Sequence, residues 1–231
     1  MKQAAIIFDF DDTLVQSYPI FLRYEALFIQ ELLEMQLGEE SEIRHFMRKK
    51  DIALVTEAGY PAKDCFPRSF EETYRHFCRQ QGRETDEEKA KALFQLGWSV
   101  HQAPMEAVLG AKELLEQLYE KLPLILFSQG EKSSQLERIQ RSGFGDYFSH
   151  CRVVRLKTQE SFLELLDSCS LDASSSWMIG NSLKSDIKPA LAVGLNAIHF
   201  DTDDWIFDHA EVSGRYHKIS QLSEIAEIIG I

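Results

Sequence analysis

Residues 4–14 of the chain read AAIIFDFDDTL, a short apolar run that leads into three aspartates. Residues 4–8 are apolar at every position, as expected of a central parallel strand that helices cover on both faces. In an extended segment positions i and i+2 point the same way, so Asp9 and Asp11 present two carboxyl groups to one site. Two like charges in that arrangement favour a divalent cation or a shared proton, although a solvated acidic turn is an alternative interpretation.

Later apolar runs resemble the first one and alternate with helical patterns. Two of the predicted helices end at glycines, Gly143 and Gly194, which favour a helix C-terminus. Strands that alternate with helices predict an α/β fold with a Rossmann-like parallel sheet core, in which ligands bind at the carboxyl ends of the strands. The predicted strands lie at 123–127, 151–154, 177–179 and 195–200, and the predicted helices at 110–121, 131–142, 161–168 and 187–193.

The interval between the first two strands is too long for one strand–helix–strand unit. Such a unit takes roughly 30 residues, which leaves about 80 residues unaccounted for. Their pattern is helical: Ile20, Tyr24, Leu32 and either Leu27 or Phe28 share one face of a helix that is predicted to end at Gly38. Segments 70–81 and 87–101 are also helical by composition. The sequence therefore predicts a core formed by residues 1–15 and 105–231, with a helical insertion at 16–104.

Composition limits the partners. The 231 residues include 25 Lys and Arg against 37 Asp and Glu, a net charge of −12. A surface this acidic repels nucleic acid backbones, so no nucleic acid partner is expected. An anionic ligand would need a metal ion or well-placed cations to offset this field.

The cysteines and the apolar segments indicate a cytoplasmic protein. Cys65, Cys78, Cys151 and Cys169 show no zinc-binding spacing, and free thiols in a reducing cytosol are the simplest interpretation. The N-terminal apolar run is too short for a signal peptide. The sequence has no run of eighteen apolar residues, so no membrane span is expected.

Four segments together resemble a known family. FDFDDTL (8–14) resembles motif one, DxDxT, of the haloacid dehalogenase-like phosphatases. Ser128 and Lys157 resemble the residues of motifs two and three, and IGNSLKSDI (179–187) resembles the acidic motif four. GFGDYF (143–148) resembles the stretch between motifs two and three. The helical insertion lies where that family places its type-one cap.

The resemblance implies a set of catalytic roles. Asp9 would be the nucleophile and would form an aspartyl-phosphate, while Asp11 would act as general acid and then base, with a raised pKa. Ser128, Gln129 and Lys157 would bind the substrate phosphate, and Lys157 would also temper the charge of Asp9. The dehalogenases of the superfamily lack the second aspartate, so Asp11 favours a phosphatase.

The resemblance also implies Mg²⁺ as the cofactor. The ion would be held by Asp9, the backbone carbonyl of Asp11, and Asp186, with Asn181 nearby. Asn181 stands where the family has an acid, which predicts a weaker metal site. Segment 180–186 has an alternative interpretation as a helix N-cap turn with Asn181 or Ser182 as the cap.

Two further positions leave alternatives open. Arg155 could compete for the role of Lys157, and Thr158 follows that lysine where a proline is frequent in the family. Thr13 is expected to fix the turn after the first strand. The acidic stretch at 201–208 is expected to be a solvated loop.

The sequence thus predicts a Mg²⁺-dependent phosphomonoester hydrolase that acts on a small phosphorylated metabolite, with no membrane partner. A cap that closes over the site would exclude bulk water and supply selectivity, which disfavours macromolecular substrates. A sugar-phosphate mutase is the alternative among enzymes. A catalytically weak phosphate-binding regulatory module is the alternative outside them.

Overall fold

The computed structural model describes residues 2–202 and 210–231 of the protein. The residues group into two compact units: a core unit, Met1–Tyr18 with Met105–Ile231, and a helical unit, Pro19–Pro104. Most of the acidic stretch predicted as a loop, residues 203–208, lies outside the described residues.

The core unit is built on a parallel sheet. Its strand order is β5-β4-β1-β6-β7-β8, and every neighbouring pair is parallel. A short antiparallel pair, β2 with β3, lies apart from this sheet. The predicted α/β fold is confirmed. The described strands are β1 Ile6–Phe8, β2 Val15–Gln16, β3 Glu106–Ala107, β4 Leu124–Gln129, β5 His150–Val154, β6 Trp177–Gly180, β7 Asn196–Phe200 and β8 His217–Ile219.

The alternation of side chains along β1 explains its central place. Ile6 and Phe8 pack in one apolar cluster with Leu114, which lies in the helix Ala111–Leu118. Ile7 packs in a second cluster with Phe162. All three β1 side chains are fully buried, and each such burial stabilises the fold by roughly 1.5–3 kcal/mol. The described α-helices are α1 Tyr18–Glu34, α2 Glu40–Ala58, α3 Cys65–Gln80, α4 Glu87–Trp98, α5 Ala111–Leu118, α6 Lys132–Ser142, α7 Gln159–Ser168, α8 Lys188–Ala192 and α9 Ile225–Ile229.

Two helices of the core unit end close to the glycines that predicted their ends. Gly143 ends α6 with a φ of 73°, and Gly194 comes just after α8 with a φ of 85°, both in the left-handed region. The edge strand β8 was not predicted because its residues alternate poorly and only Ile219 is buried.

The first helix of the helical unit ends earlier than its pattern predicts. The prediction that it continues to Gly38 is wrong: α1 stops at Glu34, and Gln36 takes a φ of 55° while the N–H of Leu37 donates to the carbonyl of Leu32. Gly38 serves packing instead, because a Cβ there would lie 2.9 Å from the ring of Phe77.

The other helices of this unit differ from the predictions mainly in their limits. The helix predicted at 70–81 begins at Cys65, and the one predicted at 87–101 ends at Trp98 and continues as a 3₁₀ turn. Helix α2 was not predicted, since only Ile43, Met47 and Leu54 of its nineteen residues are buried.

None of the helices that the structure describes combines the length and the apolar character needed to cross a membrane. All four cysteines are free thiols, two of them buried.

A charged cluster joins α1 and α2. Glu25 is buried and accepts hydrogen bonds from Arg48 at 2.8 and 2.9 Å and a further one from Arg44. Burial, together with the nearby charge of Glu25, raises the pKa of Asp51 to about 6. The ionised form of Asp51 is therefore disfavoured in the folded state.

Asp51→Asn is expected to stabilise the protein at pH 8. The folded pKa of Asp51 lies above its unfolded value, so this group's contribution falls as the pH rises from about 4 to about 6 and stays low above that. We expect a gain of roughly 1–3 kcal/mol in the free energy of unfolding at pH 8, and a smaller gain at pH 5. Urea unfolding at both pH values measures it, with Glu57→Gln on the exposed face of α2 as the control. An equal change in the free energy of unfolding for the two variants would contradict the raised pKa of Asp51.

Candidate active site

Four neighbouring strands bring polar side chains to one edge of the sheet. Asp9 directly follows β1, Ser128 lies near the end of β4, Lys157 follows β5, and Asp186 lies in the turn after β6. Because these strands are parallel neighbours in the order β5-β4-β1-β6, their carboxyl ends meet at the same place. The predicted residues of motifs one to four therefore converge within the core unit.

The centre of the site is a buried cluster of three charges. The Nζ of Lys157 contacts Oδ1 of Asp9 and lies 2.6 Å from Oδ1 of Asp186. The side chains are 1%, 9% and 1% exposed for Lys157, Asp9 and Asp186. Of the two cations considered from the sequence, Lys157 occupies this position, whereas Arg155 is exposed.

The charges of this cluster depend on one another. The pKa of Asp9 is raised to about 7: burial has the largest effect, the charge of Lys157 opposes it, and the charges of Asp186 and Asp11 add to it. Burial works against the charged form of Lys157, but the carboxylates of Asp186 and Asp9 outweigh it and raise the pKa of the lysine. Lys157 is therefore held as a cation between two acids.

Asp11 has a different environment from Asp9. Its Oδ1 lies 2.6 Å from Nη2 of Arg138 and accepts a hydrogen bond from the hydroxyl of Ser17, and its Oδ2 accepts one from Nε2 of Gln135 at 2.6 Å. Burial alone would raise the pKa of Asp11, but the charge of Arg138 and these hydrogen bonds lower it. The prediction of a raised pKa for Asp11 is therefore wrong. The sequence alone does not show that Arg138 of α6 contacts this carboxylate.

The turn after β1 is fixed by its own side chains. Oδ1 of Asp12 accepts the N–H groups of Ser17 and Tyr18 at 2.7 and 2.8 Å, and Asp12 itself has a φ of 55°. The hydroxyl of Thr13 donates to Oδ2 of Asp9 at 3.3 Å. Thr13 thus orients the Asp9 carboxylate from within the turn.

The end of β4 shapes the loop that carries Lys157. Oε1 of Gln129 accepts the backbone N–H of Lys157 at 2.9 Å, and Oγ of Ser128 accepts Nε2 of Gln135 at 2.7 Å. The side-chain oxygen of Gln129 is therefore engaged in positioning the loop. Phosphate binding by Ser128 and Gln129 stays a prediction.

The turn after β6 holds Asp186. The residues Leu183–Ile187 form a π-helical turn, and Oδ2 of Asp186 accepts the N–H of Ser182 at 3.0 Å. The N-cap is Ser182, whose hydroxyl accepts the N–H of Ser185 at 2.9 Å. Asn181 is buried beside it, and its backbone carbonyl lies 2.9 Å from Nε2 of His199.

Gly180→Ala is expected to displace Asp186. A Cβ at position 180 would lie 2.3 Å from Oδ2 and 2.7 Å from Cβ of Asp186, so the turn must shift. We expect a loss of about 1–3 kcal/mol in stability and at least about tenfold in the phosphate-ester hydrolysis that the four motifs predict, the first from the steric strain and the second from the misplaced carboxylate. Urea unfolding and phosphate release measure the two effects.

Gly145→Ala is the matched control for this substitution, because a Cβ there would lie 3.8 Å from Ile139 in ordinary contact. If Gly180→Ala behaves like the control, the tight contact with Asp186 does not constrain the site.

The donor set suits a hard cation. No group of three or more His, Cys, Asp or Glu side chains able to hold a metal occurs within residues 2–202 and 210–231. Mg²⁺ does not need one, since one or two carboxylates suffice and waters fill the remaining positions. The carboxylates of Asp9 and Asp186 both contact Nζ of Lys157, so they lie close to each other. The backbone carbonyl of Asp11 and the side-chain amide of Asn181 are further oxygen donors close by in sequence.

Sequence reasoning missed three residues that contact the predicted site. Gln135 and Arg138 are three positions apart on α6, so they share a helix face, and Ser17 follows the turn after β1. A polar face of a helix usually indicates solvent, and only the contacts with Asp11 identify these residues.

The parallel sheet, the aspartate pair at the end of β1 and the buried lysine define a class of protein. The chain belongs to the haloacid dehalogenase-like hydrolase family, whose family model matches residues 3–194. It is therefore an enzyme of the hydrolase class.

Individual relatives are similar over nearly the whole chain. A ribulose-1,5-bisphosphate 5-phosphatase of Halopiger xanaduensis is 26% identical, and the match covers 97% of this chain and 98% of the relative. An N-acylneuraminate-9-phosphatase of Rattus norvegicus is 23% identical over 84% of this chain and 80% of its own length. The crystal structure of a haloacid dehalogenase-like hydrolase from Xanthomonas campestris has a TM-score of 0.77 and 23% identity, covering 98% of this chain and 91% of that one. This structural likeness shows the shared fold.

Proposed function

We propose that the protein is a Mg²⁺-dependent phosphomonoester hydrolase that acts on a small phosphorylated metabolite through an aspartyl-phosphate on Asp9. The observation that carries the proposal is the buried lysine between two carboxylates at the carboxyl ends of parallel strands. Phosphoryl transfer requires a nucleophile and positive charge in the same place. The phosphatase names of the curated relatives support this assignment.

Asp9 carries the first step of the proposed reaction. One of its carboxylate oxygens attacks phosphorus while the bond from phosphorus to the ester oxygen breaks, which leaves an aspartyl-phosphate and an alkoxide. Lys157 offsets the negative charge that accumulates between Asp9 and the phosphate dianion. Thr13 and Lys157 hold the carboxylate by its two oxygens.

Asp11 moves the protons. It takes up a proton from solvent as substrate binds and gives that proton to the alkoxide; it then takes a proton back from the water that attacks phosphorus and releases Asp9. Arg138 keeps Asp11 ionised before substrate binds. The approach of a phosphate dianion favours proton uptake by Asp11, because a like charge raises the pKa of a carboxyl group.

Ser128 is a donor for the transferred phosphoryl group in this proposal. Its Oγ accepts a hydrogen bond from Gln135, so its own hydroxyl hydrogen can point to a phosphoryl oxygen. The residue is fully buried, so it lies within the site and not on the surface.

The cofactor in this proposal is Mg²⁺. Asp9, Asp186 and the backbone carbonyl of Asp11 would hold it, with Asn181 beside them. When bound, the ion supplies Lewis-acid stabilisation of the charge on the phosphoryl oxygens.

The test is phosphate release over a panel that includes 4-nitrophenyl phosphate, ribulose 1,5-bisphosphate and N-acylneuraminate 9-phosphate. We expect release that disappears with excess chelator and returns with Mg²⁺. An isomerised sugar phosphate without free phosphate would indicate the mutase instead, and binding without turnover would indicate the regulatory module. Full activity in excess chelator, with bound metal excluded by elemental analysis, would remove the metal from the proposal.

Asn181→Asp is expected to reduce the Mg²⁺ concentration needed for half-maximal activity. A carboxylate in place of the buried amide adds an attraction on the order of 1 kcal/mol to a cation a few ångströms away, which corresponds to a few-fold change in the midpoint. Turnover at saturating Mg²⁺ should change less. Mg²⁺ activation curves at saturating substrate separate this effect from repulsion of the phosphate. An unchanged or higher midpoint would exclude Asn181 from the metal site.

A further inference from the structure

The carboxylate of Asp11 lies in a site built by one face of α6. Arg138 and Gln135 each contact one of its oxygens at 2.6 Å, and the hydroxyl of Ser17 donates to the same oxygen as Arg138. Both oxygens of the carboxylate are therefore held, and its plane is fixed.

Arg138 is itself fixed by several contacts. Its Nη2 donates to Oγ of Ser17 at 2.7 Å, its Nη1 donates to Oε1 of Gln135 at 2.8 Å, and its guanidinium lies 5.7 Å from the centre of the Phe10 ring. Its side chain is 14% exposed. An arginine whose planar head has this many partners gives a defined geometry to the carboxylate it binds.

Gln135 connects this cluster to the end of β4. The same Nε2 that donates to Asp11 lies 2.7 Å from Oγ of Ser128 and 3.2 Å from the carbonyl of Gln129. The side chain is buried, with 5% exposure. A movement of Gln135 would thus affect both Asp11 and Ser128.

We propose that Arg138 and Gln135 are positioning residues that hold the Asp11 carboxylate in place for proton transfer. The inference rests on the proposed function, because it assumes that Asp11 moves the protons. Within the part of the chain that the structure describes, neither Arg138 nor Gln135 forms a hydrogen bond or ion pair with the nucleophile Asp9 or its partner Lys157. Arg138 then acts on the reaction through Asp11.

A double-mutant cycle tests whether Arg138 acts through Asp11. Phosphate release from phenyl phosphate, whose basic leaving group needs a proton, is measured for the wild type, Arg138→Met, Asp11→Asn and the double variant. General acid–base catalysis contributes about 10²- to 10⁴-fold, so we expect Arg138→Met to lower kcat by about 10- to 100-fold and KM to change less. In the Asp11→Asn background we expect Arg138→Met to lower kcat by less than about threefold, because the group that Arg138 positions is already absent.

Two further variants complete the design. Arg138→Lys keeps a cation and should recover part of kcat; it replaces Arg138→Met in the cycle if the methionine variant does not fold. Arg152→Met is the matched control, because it removes an arginine that pairs with Glu164 in the same unit, and its kcat should equal that of the wild type.

The outcomes separate the inference from the proposed function. Equal losses from Arg138→Met in both backgrounds, or no loss from Asp11→Asn, would overturn the inference. If the wild type releases no phosphate, the proposed function fails. A crystal structure of Arg138→Met then tests the positioning role by itself. A displaced Asp11 carboxylate would support that role, and an unmoved carboxylate would overturn it.

Discussion

Asp9→Asn is expected to lower kcat for phosphate release by about 10³- to 10⁶-fold, the range found when an essential nucleophile is removed. Asparagine keeps the shape of the side chain but provides no carboxylate oxygen to attack phosphorus. The fold should persist, because Lys157 retains Asp186 as a partner.

The measurement is a phosphate-release assay together with urea unfolding. Asp146→Asn is the control, an exposed aspartate of the core unit in a 3₁₀ turn. Activity within about tenfold of the wild type in a folded Asp9→Asn variant would remove Asp9 from its proposed role.

Lys157→Met is expected to have the largest effect on stability. It leaves the carboxylates of Asp9 and Asp186 buried without their shared cation. Breaking a buried ion pair from one side costs about 3–5 kcal/mol, so the free energy of unfolding at neutral pH should fall by that order. Turnover should also be lost, since the charge that offsets the phosphate is gone.

A second substitution distinguishes lost charge pairing from lost packing. In Lys157→Met with Asp9→Asn only one carboxylate stays buried, so the double variant should be more stable than Lys157→Met alone. Urea unfolding of both variants measures this, with Lys121→Met as a control on the exposed surface. A double variant that is less stable than Lys157→Met would indicate that packing of the lysine stem dominates.

The parts of the fold that depend on apolar pattern could be predicted. Residues 4–8 are apolar on both faces, a pattern typical of a buried central strand, which is where β1 lies. The ends of parallel strands meet at one edge of a sheet, so the placement of Asp9 and Ser128 near each other follows from topology.

The parts that depend on a specific neighbour could not be predicted. Arg138 lowers the pKa of Asp11 through a contact across 127 positions of sequence, whereas the sequence suggested a raised value. The end of α1 was also misplaced, because Gln36 adopts a left-handed conformation that a glycine usually takes. Gly38, the residue that suggested the end, serves packing against Phe77.

The most direct test of the central claim is to identify the residue that carries the phosphoryl group during turnover. The enzyme is mixed with ³²P-labelled phenyl phosphate and Mg²⁺, quenched in acid within one turnover, and digested so that the labelled peptide can be sequenced. We expect acid-stable, base-labile label on Asp9 and none in Asp9→Asn. Label on another residue, or rapid phosphate release from the wild type with no labelled enzyme at any quench time, would contradict it.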